Sequence, residues 1–150
     1  MDAEIFAKPG HLINRAARLL IRRGERHFGA LGLAVAQLPV LGALKNGEAM
    51  SQTELARLGQ IEQPTMAQLL VRMERDGLIR RTPDPGDRRS SLVSLTPAAR
   101  EKLPAARALL LRGNEEALVG FSDQEIETLC SLLRRVIHNV EEGLRKDAIG

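Results

Sequence analysis

The sequence lacks the residues from which disulfide scaffolds, metal centres and common enzyme sites are built. Cys130 is the single cysteine among 150 residues, which excludes an intrachain disulfide and a cysteine-based zinc cluster. The three histidines, His11, His27 and His138, do not have metal-ligand spacing. The sequence also has no phosphate-binding loop, nucleophile elbow or paired-histidine zinc motif. We therefore expect neither a cofactor nor an enzymatic activity.

The sequence also has no apolar run of the kind that crosses a bilayer. The longest stretch without formal charge, residues 27–44, is interrupted by glycines and by Gln37 and Pro39. We interpret it as a buried segment that contains a turn. The first residues read Met-Asp-Ala-Glu and lack the basic and then apolar pattern of a secretory signal. These features predict a cytoplasmic protein that does not bind a membrane.

The composition is that of a soluble globular chain with a mild excess of positive charge. A length of 150 residues fits one ordinary domain, and 43% of the residues are hydrophobic. Lysine and arginine exceed aspartate and glutamate by 22 to 19, and 18 of the 22 basic residues are arginine. Arginine suits bidentate contacts to phosphate and guanine, although a GC-rich genome would produce the same bias. The composition leaves both explanations open.

Two predicted helices joined by a short turn indicate a helix-turn-helix. Residues 51–54 form a capping box with Ser51 as the N-cap, and the helix that it opens is predicted to end at Gly59. A second helix is predicted to begin near Pro64, which is favoured in the first turn of a helix, and to run to about Asp76. This arrangement is typical of DNA-binding proteins.

A β-hairpin and two long helices are predicted to follow. We expect strands at residues 78–82 and 91–95, with a loop of turn-forming residues at 83–89 between them. Thr96 and Pro97 cap and open a helix that Pro104 and Gly113 are expected to bend or interrupt. A second capping box, at residues 122–125, opens a last helix that is predicted to reach about Leu144.

The predicted order of elements defines the fold class. A helix-turn-helix followed by a hairpin is a winged helix, and here it has additional helices at both ends. We therefore expect a mainly α protein with a small β-hairpin wing (α+β), that is, a winged helix-turn-helix.

The second helix of the pair has a polar face that suits base reading. At 100° per residue its apolar residues, which are Met66, Leu69, Leu70 and Met73, fall on one face. Thr65, Gln68 and Arg72 lie within an arc of about 60° on the far side. Arginine can pair with guanine and glutamine with adenine, whereas threonine can contact a phosphate or a thymine methyl. Gln63 and Pro64, at the start of this helix, are also candidate DNA contacts. The alternative is a solvated polar face.

The predicted wing carries a second set of candidate DNA contacts, which are Asp87, Arg88 and Arg89. We expect the Asp87 carboxylate to pair with the Arg89 guanidinium and to direct it outward from the tip, where a narrow minor groove attracts arginine. Arg88 is expected to contact neighbouring phosphates. The alternative is a flexible charged loop. Residues 72–89 hold six arginines but also four acidic residues, so the placement of the charges matters more than their sum.

The sequence resembles the MarR family of bacterial regulators from about Leu33 to Leu103. The matching stretches read QLPVL at 37–41, LA at 55–56, QPTM at 63–66, GLIR at 77–80, DRR at 87–89 and LT at 95–96. The spacing of the last three stretches is specific. The family usually has a glycine where this sequence has Ala99, a difference that concerns helix geometry rather than DNA contact.

The resemblance implies a homodimer in which the first and last helices of each subunit interleave, and in which two winged lobes bind successive major grooves of double-stranded DNA. It predicts one domain at 1–150, with a DNA-binding lobe at about 33–96 and dimerisation helices at about 5–30 and 97–146. The residues agree, because both terminal helices have wide apolar faces that need a partner. These faces comprise Leu12, Ala16, Leu19 and Leu20 in the first helix and Ile126, Cys130, Leu133, Ile137, Val140 and Leu144 in the last.

The resemblance further implies a ligand-responsive repressor whose effector is a small aromatic or lipophilic anion bound between the DNA-binding lobe and the dimer helices. Two alternatives stay open. The first is an oxidation-responsive regulator that acts through Cys130, although this residue lies on an apolar stripe and is expected to be a buried structural thiol. The second is a winged-helix interaction module that does not read DNA.

Overall fold

The computed structural model describes residues 3–150; residues 1 and 2, at which the predicted domain begins, lie outside the described residues. The described chain is mostly helical with one small antiparallel sheet, which confirms the predicted fold class. The helices are α1 (Pro9–Phe28), α2 (Leu38–Ala43), α3 (Gln52–Gly59), α4 (Gln63–Arg75), α5 (Pro97–Ala117) and α6 (Asp123–Ile149). The strands are β1 (Met50–Ser51), β2 (Ile79–Asp84) and β3 (Asp87–Leu95). Short 3₁₀ turns cover Ile5–Ala7, Gly29–Leu31 and Val35–Gln37.

The chain divides into two compact units, one that ends at Gly113 and one that covers Asn114–Gly150. The buried hydrophobic side chains of the described residues all lie between Phe28 and Ala106, so the core belongs to the first unit. In the second unit, α6 has no buried residue. Across residues 3–150, no helix has both the length and the apolar character that a membrane crossing requires.

The sheet contains a strand that the sequence did not predict. Its order is β1-β3-β2, and β1 pairs with β3 through Met50 opposite Val93 and Ser51 opposite Leu92. A two-residue strand is too short to show the alternation of apolar and polar residues by which strands are recognised. The strand fixes the start of α3 against the base of the hairpin.

The hairpin is longer than predicted, and the prediction of a seven-residue loop at 83–89 was wrong. β2 continues to Asp84 and β3 begins at Asp87, so only Pro85 and Gly86 lie between the strands. The Asp84 carboxylate accepts a hydrogen bond from the Gly86 N–H at 2.9 Å and thereby forms the turn with its own side chain. The register shift between Pro83 and Asp84 accommodates the proline near the end of the strand.

The helix-turn-helix forms as predicted, with a different role for one glycine. Ser51 Oγ accepts the Glu54 N–H at 3.2 Å, and the Glu54 carboxylate accepts the Ser51 N–H at 2.9 Å, which confirms the capping box. α3 ends at Gly59, but the residue with left-handed backbone is Gln60, with φ of 52°. A Cβ at Gly59 would lie 3.3 Å from the Cβ of Pro39. Gly59 therefore serves the close approach of α2 and α3.

The two long helices also differ in detail from the sequence prediction. α5 runs from Pro97 to Ala117 through both Pro104 and Gly113, so the expected interruption at these residues was wrong. The capping box of α6 is confirmed, with Ser122 Oγ accepting the Glu125 N–H at 3.1 Å, and the helix extends beyond Leu144 to Ile149. Two hydrogen bonds from Ser122 to the Glu125 carboxylate lower the pKa of Glu125. The larger effect comes from the backbone N–H of Ser122 and the smaller from its side chain.

The capping box of α3 leads to a prediction about stability. Ser51→Ala should lower the free energy of unfolding by about 1 kcal/mol, because it removes the acceptor of the Glu54 N–H. Urea unfolding at one fixed protein concentration measures the change. Thr53→Ala is the matched control, since Thr53 is exposed in the same turn, and it should stay within about 0.5 kcal/mol of wild type. Equal losses in both variants would contradict the assigned role of Ser51.

Candidate nucleic-acid interface

The orientation of α4 is fixed by the side chains that it buries. Met66, Leu70 and Met73 each have an exposed fraction of 0% in the core. Because these residues recur at intervals of three and four, they define one face of the helix, and the opposite face must point to solvent. The predicted apolar face of α4 is thus the face that packs inward, with Leu69 half-buried beside it.

The three predicted base-reading residues lie on the outward face of α4. Thr65, Gln68 and Arg72 are all exposed. No hydrogen bond or ion pair within residues 3–150 occupies their side chains. Their donors and acceptors are therefore available to an external partner.

The start of α4 carries the other two candidates on that helix. Gln63 and Pro64 are exposed in its first turn. Gln63 Oε1 accepts a hydrogen bond from Gln52 Nε2 at 3.2 Å, which links the beginnings of α3 and α4. The amide group of Gln63 keeps its own N–H donors for a further contact.

The same outward face includes two residues that sequence reasoning did not single out. Val71 is 61% exposed, and Arg75 is exposed with its Nε 3.3 Å from Asp76 Oδ1. The helical angles that selected Gln68 also place Arg75 within about 20° and Val71 within about 60° of it. The helical periodicity of the sequence therefore contains the signal for both residues, but Arg75 and Val71 lie outside the arc of about 60° that holds Thr65, Gln68 and Arg72, and Val71 is not polar.

Thr96 connects the end of α4 to the start of α5. Its hydroxyl donates to the Gly77 carbonyl at 2.6 Å and accepts the Ala99 N–H at 3.2 Å. Its own N–H donates to the Leu78 carbonyl at 3.0 Å. The predicted cap of α5 is confirmed, and the same side chain holds the glycine that terminates α4. Ala99, at the position where the family usually has glycine, is fully buried.

The three predicted wing residues are strand residues rather than loop residues. Asp87, Arg88 and Arg89 are exposed at the start of β3. Successive side chains of a strand point to opposite faces. Arg89 therefore shares a face with the buried Val93, whereas Arg88 lies on the other face with Leu92. The two arginines leave the wing in different directions.

The predicted ion pair between Asp87 and Arg89 was wrong. The Asp87 carboxylate accepts the backbone N–H of Arg89 at 2.9 Å, and no ion pair of the Arg89 guanidinium is present in residues 3–150. A short acidic side chain reaches the amide two residues ahead more readily than it reaches the end of a long arginine side chain. Asp87 therefore shapes the backbone of the wing and leaves the guanidinium free.

A salt bridge joins the wing to α4. Arg81 Nε on β2 lies 3.7 Å from Glu74 Oε1 on α4, and the Arg81 side chain is the more buried of the two. Arg81 pairs with Val93 in the sheet and therefore lies on the same face of the hairpin as Arg89. The face that carries Arg89 is thus the one turned toward α4.

A cavity of about 280 Å³ lies between α2 and α5. Its lining residues are Leu38, Leu41, Gly42, Lys45, Leu103, Ala106, Arg107 and Leu110. Leu41 and Ala106 are buried, whereas Lys45 and Arg107 are exposed and are the only charged residues in the lining. The cavity therefore combines apolar walls with two cationic side chains.

A helix-turn-helix followed by an antiparallel hairpin, with a free polar face on the second helix, defines the winged helix-turn-helix class of DNA-binding proteins. The family model described as the MarR family matches residues 31–90. YwoH of Bacillus subtilis strain 168, an uncharacterized HTH-type transcriptional regulator, is 32% identical over 124 residues, which cover 83% of this chain and 90% of YwoH. The chain belongs to the MarR family and is therefore a transcriptional regulator.

Solved structures of two regulators have similar folds. One is BpsR of Bordetella bronchiseptica, whose DNA binding is regulated by 6-hydroxynicotinic acid. It is 27% identical with a TM-score of 0.79, and the match covers 87% of this chain and 94% of that one. The other is the transcriptional repressor CouR bound to a 23-mer DNA duplex. It is 27% identical with a TM-score of 0.80, and the match covers 90% of this chain and 96% of that one.

The hydrogen bond within the wing leads to a prediction about hydrogen exchange. Asp87→Ala should accelerate exchange of the Arg89 amide by roughly fivefold, because a bond worth about 1 kcal/mol is lost. Asp87→Asn should leave the exchange rate close to wild type, since the asparagine oxygen can accept the same bond. NMR measures both rates. Equally fast exchange in the two variants would indicate that Asp87 acts through its charge instead.

Proposed function

We propose that the chain is a ligand-responsive repressor that binds a palindromic operator as a homodimer in the cytoplasm. The observation that carries the proposal is the outward face of α4, where Thr65, Gln68 and Arg72 are exposed without internal partners. The similar CouR is a repressor bound to duplex DNA. In this proposal residues 33–96 form the DNA-binding lobe, and residues 5–30 and 97–146 supply the dimerisation helices.

The proposed contacts divide into base reading and backbone binding. Gln68 and Arg72 read base edges in the major groove, and Thr65 contacts a phosphate or a thymine methyl. Gln63 and Pro64, at the start of α4, approach the DNA backbone. In the wing, Arg89 enters the adjacent minor groove and Arg88 binds a phosphate. The Asp87 carboxylate accepts the Arg89 N–H and thereby holds the polypeptide backbone of the wing.

The apolar faces of α1 and α6 support the homodimer. Exposed apolar residues on these helices include Leu12, Leu19, Leu20 and Ile21 on α1 and Leu132, Val136, Ile137, Val140 and Leu144 on α6. Contiguous apolar faces of this extent are expected to be covered by a partner. A twofold axis then presents two copies of α4 to successive major grooves, with half-sites about one helical turn apart.

The cavity between α2 and α5 supports an anionic effector with an aromatic or lipophilic body. Its apolar walls suit a ring, and Lys45 and Arg107 suit a carboxylate. α2 packs against α3, which belongs to the DNA-binding lobe. An effector that binds better to one arrangement of α2 and α5 would shift the population toward it and change the spacing of the two lobes.

The two alternative functions have less support. Cys130 is half-buried on α6 rather than fully buried as expected, and it is the single cysteine of the sequence, so a second thiol with which it could form an intrachain disulfide is lacking. An interaction module that does not read DNA has no need of a partner-free polar face together with two outward wing arginines. The membership in a family of transcriptional regulators favours DNA binding.

Selection of genomic fragments by the purified protein tests the proposal. The bound fragments should share a palindrome with half-sites about ten base pairs apart. The mass of the complex, measured by analytical ultracentrifugation, should correspond to two chains for each duplex. Fragments without a shared palindrome, or one chain for each duplex, would contradict the proposed function.

Variants of α4 and of the wing should affect DNA binding differently. Arg89→Ala should weaken operator binding by about 1–3 kcal/mol and reduce the salt dependence by about one charge, because one charged contact to the DNA is lost. Gln68→Ala should relax the base preference and leave non-specific binding nearly unchanged. Titrations of operator and random duplexes at two salt concentrations measure both effects. Arg112→Ala, which removes the same charge from α5, should behave as wild type.

The contrast between the two variants decides the assignment. If Gln68→Ala weakened binding to the operator and to random duplexes by the same factor, Gln68 would not be a base-reading residue. If Arg89→Ala left the salt dependence unchanged, the wing would not approach the DNA.

The cavity leads to a prediction about effector binding. 6-Hydroxynicotinic acid, the compound named for BpsR, is a suitable probe because it is an aromatic carboxylate. Arg107→Ala should weaken its binding by roughly tenfold or more, as expected for loss of a charge-assisted hydrogen bond. Calorimetry measures the affinity, and Arg112→Ala, which lies on the same helix outside the cavity lining, is the matched control. Equal binding of the neutral amide of the probe would contradict recognition of a carboxylate.

A further inference from the structure

Val71 stands out among the apolar residues of the first unit. Its exposed fraction of 61% exceeds that of every other large hydrophobic residue described between positions 3 and 113. Most of the other exposed apolar residues in this range belong to the faces of α1 and α5. Within the winged helix, residues 33–96, only Leu58 on α3 is comparable, at 51%.

The position of Val71 on α4 distinguishes it from an incidental surface residue. At 100° per residue it lies within about 60° of Gln68 and about 20° of Pro64 on the outward face. Gln68 is one turn before it and Arg75 is one turn after it, and both are exposed. An apolar side chain therefore interrupts a row of polar side chains on the face that is proposed to enter the major groove.

The major groove offers one apolar group to such a side chain. The 5-methyl group of thymine projects into it, and apolar contact with this methyl is a known mode of base discrimination. A valine in a helix occupies one χ1 rotamer about 90% of the time, so little side-chain freedom is lost when it packs against a methyl. A polar residue at this position would instead pair with a hydrogen-bonding base edge.

We infer that Val71 is a specificity-determining residue that contacts the 5-methyl group of a thymine in each operator half-site. The inference rests on the proposed function, because it requires that α4 enters the major groove. It adds a base preference to that function, namely a thymine recognised by shape and apolar contact beside the bases that Gln68 and Arg72 recognise through hydrogen bonds.

Replacement of thymine by uracil tests the inference, since it removes the methyl group and leaves every hydrogen-bonding group in place. Each thymine of the selected operator is replaced in turn, symmetrically in both half-sites, and the dissociation constant is measured for wild type and Val71→Ala. At one position, uracil should weaken wild-type binding by about fourfold per half-site, the factor that corresponds to one buried methylene. Val71→Ala should bind the thymine and uracil operators equally.

Matched variants separate this contact from other effects. Leu58→Ala removes a similarly exposed apolar side chain from α3 and should keep the full response to uracil. Val71→Thr retains one γ-methyl and the branched shape, so it should keep part of the response. Val71 is exposed, so its variants should unfold like wild type, which thermal unfolding checks.

Several results would overturn the inference while leaving the proposed function intact. They are an operator without a thymine in the half-site, no position at which uracil weakens wild-type binding, and an equal effect of uracil on wild type and Val71→Ala. A failure of the proposed function looks different, since wild-type protein would then select no shared palindrome at all.

Discussion

The candidate interface depends on the packing of α4 against the core. Met66, Leu70 and Met73 are completely buried, and together they leave the helix no freedom to rotate about its axis. A rotation that brought Gln68 inward would expose one of these side chains, each worth roughly 1.5–3 kcal/mol when buried. The polar face is therefore presented outward as a consequence of apolar burial, before any partner is present.

Three local interactions extend this constraint to the neighbouring elements. The capping box at Ser51 fixes the start of α3, and the hydrogen bonds of Thr96 hold the end of α4 to the start of α5. The salt bridge between Arg81 and Glu74 joins the wing to α4 and contributes little energy, because both side chains are partly exposed. Together they place the outward face of α4 and the wing in one defined arrangement, as recognition of a specific DNA sequence requires.

The sequence predicted those features that depend on local patterns. The bounds of α4 and both capping boxes follow from residue types at fixed spacing, and the structure agrees within a residue or two. The predictions of the hairpin loop and of the partner of Asp87 were wrong, because aspartate side chains can bond to nearby backbone amides. The Asp84 carboxylate accepts the Gly86 N–H and closes the turn within two residues. The Asp87 carboxylate accepts the Arg89 N–H instead of pairing with the Arg89 guanidinium. β1 exists only through its pairing with β3, which is distant in sequence.

The net charge of residues 72–89 understates the charge that this region offers to an anion. All four of its acidic side chains have partners within the chain: Glu74 and Asp76 contact arginines, and Asp84 and Asp87 accept backbone N–H groups. Of the six arginines, only Arg75 and Arg81 are occupied by these contacts. Each carboxylate is thus bonded within the chain, whereas the other four arginines, Arg72, Arg80, Arg88 and Arg89, are exposed and have no partner in the described residues. Carboxylates that are already bonded within the chain oppose an approaching phosphate less than free ones would, so the four arginines without partners dominate its interaction with this region.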